Sequence, residues 1–338
     1  MNKRSVAAWI PIRTPAWDHP GRLTVYENAR DQFIGQLPQV LRLLGSDVTV
    51  EEVVLGQPPG ELIAWFKQKS FMSGTRLFEY ISIRATVEVD SAWLISKPDI
   101  EEELVLAVAA SQLGDKIELI LVLSELAYPG CIDVLDGACL SSNLLVHEIR
   151  RKHAFGHLIF PEDNDPVWPE IRMIELAKVL AWAQRTRMSS NHLAESRIER
   201  ALAAYSHVIG LSWLRDGEGL FRAMQGLEAF YSDSVGDLRK QLSEKVQLWL
   251  GHWQDNKNII GRLYDLRSAF VHGSARLVYW GRESGAWDED ETEMQRFDGG
   301  VKLSIRLLIA TLQRCIVDDI TDIKWSYSFA ASGRDAGA

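Results

Sequence analysis

The hydrophobic period of this chain changes at "FPEDNDPVWPE" (160–170), and that change limits the possible folds more than any other feature. With three prolines and four acids, the stretch reads as a linker. Before it, "ISIRATVEV" (81–89) places Ile81, Ile83, Ala85, Val87 and Val89 on one side and Ser82, Arg84, Thr86 and Glu88 on the other, the period of a half-buried strand. "KIELILVL" (116–123) and "NLLVHEI" (143–149) are further strand candidates. Between them, "KPDIEEELVLAVAASQLG" (97–114) opens on Pro and acids and closes on Gly, the marks of a helix. After the linker the spacing is helical. Ile171, Ile174, Lys178 and Leu180 mark a first helix with Pro169 near its N-terminus. Ile198, Leu202, Tyr205 and Ile209 mark the next, and Leu220, Met224, Leu227 and Tyr231 repeat the spacing. Leu238, Leu242, Val246 and Trp249 do so again, and runs at 259–272 and 301–316 complete the set. These periods predict an α+β N-terminal domain (1–165) followed by an all-α antiparallel helix bundle (170–325). Residues 281–300, polar, acidic and glycine-flanked, are expected to be an exposed loop between the last two helices.

A chain of 338 residues that is 46% hydrophobic can build a large core. Its net charge of −9 will not draw polyanions from a distance, so a nucleic-acid site would have to be local. Residues 192–282 hold 12 basic and 10 acidic side chains, a formal +2, whereas 283–298 hold seven acids and one Arg, a formal −6. No apolar run approaches the roughly 20 residues of a membrane helix, and no membrane association is expected. The first residues lack a sustained apolar segment, with Pro11 and Arg13 interrupting early, which argues against a secretory signal. Cys131, Cys139 and Cys315 form no CxxC pair, so a reducing cytoplasmic setting is expected, with no disulfide framework and no zinc site.

The densest chemistry lies in "LYDLRSAFVHGS" (263–274). Leu263, Leu266, Phe270 and Val271 form an apolar seam that Arg267 and His272 interrupt and Gly273 ends. Five residues rotate about 140° on a helix, but arginine's reach and the freedom of Gly273 allow the two side chains to converge. An imidazole moves protons near neutral pH, and a guanidinium holds a phosphate through parallel hydrogen bonds. Together they suit RNA self-cleavage, in which a base takes the 2′-OH proton and the cation stabilises charge on the phosphate. The same residues also admit a plainer use: Arg267 paired with an acid in the bundle, and His272 as a helix C-cap. Glu228 shares a helical face with Phe221, Met224 and Tyr231, which puts a carboxylate in an apolar seam. A buried acid needs a cation or donors, and Arg267 on a neighbouring helix is the natural one. His147, His153 and His157 do not have the spacing of a metal site, because Gly156 breaks the helix it would require. Arg150, Arg151, Lys152, Arg185 and Arg187 read as a solvated basic surface, with phosphate contact the lesser alternative. The acids at 288–293 read as a solvated loop.

Three segments in order, "LFRAMQGLEAFYS" (220–232), "LRKQLSEKVQLWLG" (238–251) and "RLYDLRSAFVHG" (262–273), resemble the HEPN family, in particular its Apea-like branch. The family pattern is an apolar-Glu-apolar step, a middle helix, and Tyr-x-x-Arg-Ser leading to His-Gly. Here these are Leu227-Glu228-Ala229, the middle helix, and Tyr264, Arg267, Ser268, His272 and Gly273. The match covers roughly 55 residues, with a looser fit over 192–316, and says nothing of 1–165. The resemblance implies a metal-independent endoribonuclease with no cofactor, an RNA substrate, and Arg267 and His272 as the catalytic pair. Glu228, Tyr264 and Ser268 would support it. It also implies a homodimer through the bundle. Many members act in toxin–antitoxin or antiphage systems; others are inactive modules that bind a nucleotide, nucleic acid or a partner protein. Many ribonuclease members carry Asn, Asp or His after the Arg, where this chain has Ser268. The N-terminal domain would then sense, recruit or restrain, through a regulatory protein or ligand.

Overall fold

A computed structural model describes residues 2–13, 20–69, 78–97, 99–141, 144–150, 168–188, 193–210, 217–233, 236–252, 258–276 and 291–326. Among the described residues the N-terminal region is mixed α+β and the rest is all-α, as the change of period predicts. Most of the predicted linker, 160–167, lies outside the described residues.

Five strands, β1 (Lys3–Arg13), β2 (Val48–Leu55), β3 (Phe78–Glu88), β4 (Gly137–Ser141) and β5 (Leu144–Ile149), form one sheet in the order β2-β3-β1-β4-β5. Every neighbouring pair is antiparallel, with Ala8 opposite Ile83 and Ala7 opposite Leu140 in the central strands. Helix α1 (Pro20–Leu43) connects β1 to β2, and α4 (Glu102–Ala127) leads from β3 towards β4. The two crossovers interlock as a split βαβ arrangement, with β5 added at one edge. Ile81, Ile83, Ala85 and Val87 are fully buried on the face that α1 and α4 cover, which is the alternation read in "ISIRATVEV". On the opposite face, Leu62 and Phe66 of α2 (Gly60–Lys69) pack over Ala138, Leu140, Trp9 and Tyr80. A short α3 (Ser91–Ile95) precedes α4, its first turn capped by the Asp90 side chain.

The run at 116–123 is not a strand. One helix continues through Gly114 to Ala127. The segment looked strand-like because it is apolar on every side, and α4 is buried between the sheet and the bundle. Gly114 is not a stop either: a Cβ there would lie 2.2 Å from the His147 ring, so glycine lets α4 approach β5.

The all-α region comprises α5 (Leu176–Arg185), α6 (Arg197–Ile209), α7 (Glu218–Tyr231), α8 (Leu238–Leu250), α9 (Ile259–Val271) and α10 (Glu291–Val317). The first helix starts later than Ile171 suggested. The Ile174 N–H donates to Ala127 O (2.8 Å), and the Gln313 side chain binds both the N–H and the carbonyl of Arg172 (3.0 and 2.6 Å). Those backbone groups serve α4 and α10 instead of a helix. The predicted loop 281–300 is also corrected. Residues 281–290 lie outside the described residues, but α10 already begins at Glu291. Phe297 and Val301 are buried one turn apart, and Gly300 gives Leu266 of α9 room that a Cβ would take at 2.3 Å. The Gly299-Gly300 pair at the edge of the expected loop thus includes a close helix crossing.

The two regions share one contiguous core. Tyr205 of α6 donates to Val122 O of α4 (2.6 Å), Gln313 donates to Leu126 O (2.9 Å), and Arg306 Nε donates to Pro169 O (2.8 Å). Cys131, Cys139 and Cys315 are buried free thiols. No helix among the described residues is long and apolar enough to cross a membrane.

Candidate functional site

Helix α9 is anchored by Ile260, Leu263 and Leu266, which are buried, and by an ion pair from Arg239 of α8 to Asp265 (3.1 Å). Its end is a Schellman motif. Gly273 adopts φ +73°, its N–H donates to Phe270 O (3.3 Å), and Ser274 N–H donates to Ala269 O (2.9 Å). A side chain at position 273 would be strained by that φ, which explains the glycine after the histidine. His272 is the C-cap residue; its N–H donates to Ser268 O (3.0 Å) and its side chain is exposed. Ser268 is half-buried on the same last turn.

Helix α7 lies against α6, α8, α9 and α10, and Gly226 allows this crowding, since a Cβ would meet Leu308 and Ala204 at 3.0–3.1 Å. Met224, Leu227 and Tyr231 face the core. Glu228 lies beside them with 17% of its side chain exposed, and Arg267 of α9 keeps 19%. Their contact is a single bond, Arg267 Nη2 to Glu228 Oε2 at 3.2 Å. Arg267 Nε and Glu228 Oε1 are both buried, with no hydrogen-bond partner among the described residues. The guanidinium carbon also lies 5.9 Å from the ring centres of both Phe221 and Tyr264. Burial pushes the Glu228 carboxyl up from its ordinary range, and the nearby Arg267 charge pulls the other way without cancelling the shift.

The structure therefore joins Glu228, Arg267 and Tyr264, and places His272 about one turn beyond Arg267 at the exposed helix end. Among the described residues no hydrogen bond joins the Arg267 and His272 side chains. Both plainer uses are realised in part: Arg267 has an acid partner, and His272 caps the helix. Phe221 was read only as part of the apolar seam around Glu228; its contact with Arg267 spans two helices, which spacing within one helix cannot reveal.

The other sequence candidates resolve differently. Arg150 grips Glu118 through Nε and Nη2 (3.1 and 2.8 Å), Arg185 pairs with Asp319, and Arg187 pairs with Glu195 and Glu199. These cations serve internal ion pairs; Arg151 and Lys152 lie outside the described residues. His153 and His157 also lie outside, and the described residues contain no cluster of metal-ligating side chains. Of the acids at 283–298, those from 291 belong to α10, where Asp298 pairs with Lys302 (2.8 Å). A cavity of about 170 Å³ between Arg187, Met188, Leu193 and Leu202 includes none of the predicted site residues. No family model, curated protein or solved structure matches this chain.

Proposed function

We propose that this protein is a metal-independent endoribonuclease of HEPN type whose site lies at the α7–α9 seam. The observation that carries the reading is the end of α9, where an exposed imidazole at a glycine-terminated helix end follows a guanidinium that its acid partner holds by one bond only. His272 acts as general base, taking the 2′-OH proton, or as general acid, giving the leaving 5′-oxygen its proton, with water as the partner in the other transfer. The freed oxygen attacks the adjacent phosphorus, the bond to the 5′-oxygen breaks, and that leaving oxygen receives a proton. Arg267 stabilises the charge on the phosphate oxygens. Glu228 positions Arg267, Tyr264 flanks the guanidinium, and Ser268 belongs to the turn that presents His272. The resemblance adds a homodimer that brings two such seams together, an N-terminal region that senses or restrains through a protein or ligand, and a role in toxin–antitoxin or antiphage defence.

One observation favours a second reading, a non-catalytic module that binds a nucleotide, nucleic acid or partner protein. Arg267 already has an acid partner, so its charge is partly satisfied without RNA.

The two readings separate in one experiment. Purified protein is incubated with mixed RNA in EDTA, wild type beside Arg267→Ala and His272→Ala. The nuclease reading predicts cleavage by wild type alone, leaving 2′,3′-cyclic phosphate or 3′-phosphate and 5′-hydroxyl ends. Binding without cleavage would favour the module, and cleavage that strictly needs added Mg²⁺ would point to another mechanism.

A further inference from the structure

Phe221 and Arg222 open a second half to this site. Two guanidinium carbons lie over the Phe221 ring, that of Arg267 at 5.9 Å and that of Arg222 at 5.7 Å. Their tethers differ. Arg267 is four-fifths buried and held across the seam by Glu228. Arg222 is one-third exposed, and its polar contacts to described residues are long: 3.6 Å to Glu218 on the preceding turn and 3.4 Å to Gln225. Contacts of that length on an exposed side chain add little and release easily. Phe221 itself is half-buried, so an aromatic face lies under a cation that can move aside.

We infer that an unpaired base of single-stranded RNA stacks on Phe221 in the place Arg222 now holds, next to a phosphate on Arg267. The inference rests on the ribonuclease reading of Arg267 and names the substrate class for that site. A base presents a π-face as broad as the guanidinium it replaces, and the displaced Arg222 remains close enough to meet a neighbouring phosphate. Stacking of this kind tolerates every base, because each has such a face, whereas bases within a duplex have none to spare. The site should therefore choose single strands over duplexes and show little base preference.

The test uses the full chain and a single-stranded oligonucleotide with a 2′-O-methyl backbone, which cannot be cleaved through its 2′-oxygen, carrying one 2-aminopurine. Wild type should quench the fluorophore, and the same oligonucleotide in a duplex should not be quenched. Phe221→Leu should weaken binding roughly five- to hundred-fold and abolish the quench, whereas Phe221→Trp should keep both. Unchanged affinity and quench in Phe221→Leu, with RNA still cleaved by wild type, would overturn the stacking and leave the Arg267–His272 chemistry standing. Quenching by a wild type that cleaves nothing would support the stacking and overturn the nuclease reading. No binding at all would overturn the stacking, and the nuclease reading falls with it only if wild type also leaves RNA uncleaved. Should Phe221→Leu fail to fold, photocrosslinking of wild type to 4-thiouridine RNA decides: adducts on Phe221 or Tyr264 support the proposal, and adducts confined to other helices refute it.

Discussion

Two glutamate–arginine pairs in the all-α region share their chemistry and differ in how they are held. At the α5–α6 corner, Glu199 accepts from the Glu195 N–H (2.7 Å), the Ser196 N–H (3.1 Å) and Arg187 (3.0 Å), and the Glu199 N–H donates to Ser196 Oγ to complete a capping box. Burial pushes the Glu199 carboxyl up, but these donors together outweigh it and hold the group below its ordinary range. At the α7–α9 seam, among the described residues, Glu228 accepts one bond and keeps one oxygen buried and unpartnered, and its carboxyl is shifted upward. A carboxylate that builds a helix end is saturated with donors. One that leaves its arginine under-bonded does less for the fold and keeps the cation available. On the proposed function, the first pair is scaffold and the second belongs to the site.

The largest expected contrast is in rate. Arg267→Ala should lower RNA cleavage by about 10²–10³-fold, the usual loss when one donor to a developing oxyanion is removed. Arg187→Ala should leave the rate per folded molecule unchanged, as measured by end-labelled RNA under identical conditions. Equal losses in the two variants would erase the distinction between site and scaffold. In stability the order reverses. Glu199→Ala should cost about 1 kcal/mol through loss of the capping box, seen as a lower midpoint in urea, and Glu228→Ala should cost less than Glu199→Ala. A larger loss at Glu228 would mean the seam is the structural pair.

The smallest effect is the pH dependence, and its sign is the informative part. Glu199 lies below its ordinary value of 4.5 in the folded chain, so its contribution is present above that value and is lost as pH falls through its folded pKa. Glu228 lies above 4.5, so its contribution is fully present below 4.5 and is lost as pH rises through its folded pKa. Relative to wild type, Glu228→Gln should therefore look better at pH 7 than at pH 4, and Glu199→Gln worse. Urea melts of both variants at the two pH values measure this, and slopes of the same sign would contradict the pKa assignments.

What was legible in the sequence follows from what is local. The alternation at 81–89 and the helical spacing from 198 to 271 survive because each describes one element with a buried face and an exposed face. The misread segments are those whose neighbours decide. Residues 116–123 are buried all round, and a surrounded helix has lost its period. Gly114, which reads as a helix end, and Gly300, which flanks the expected loop, are places where another element comes close, which only the tertiary structure reveals. Strands β1 and β2 and helix α1 are not among the elements the sequence predicts. Helix α1 starts on Pro20 and carries Arg42 in its last turn, but Pro38 inside it and the absence of an acid in its first turn argue against one continuous helix. The site divides in the same way. Arg267, His272 and Gly273 stand together in one short segment and could be found there. Glu228 could be singled out because an acid in an apolar seam is an anomaly. The Phe221 contact could not, because it depends on how α7 lies across α9.

His272 tests the central claim most directly, since its ring is exposed and makes no hydrogen bond to another described residue. The measurement compares melting temperature with cleavage rate for His272→Ala. Truncation at an exposed C-cap should cost no more than about 0.3–1 kcal/mol, so the melting temperature should stay close to that of wild type. The rate should fall by about 10²–10⁴-fold for a missing proton-transfer group. A collapsed melting temperature with unchanged activity per folded molecule would move His272 from the chemistry to the scaffold and contradict the account.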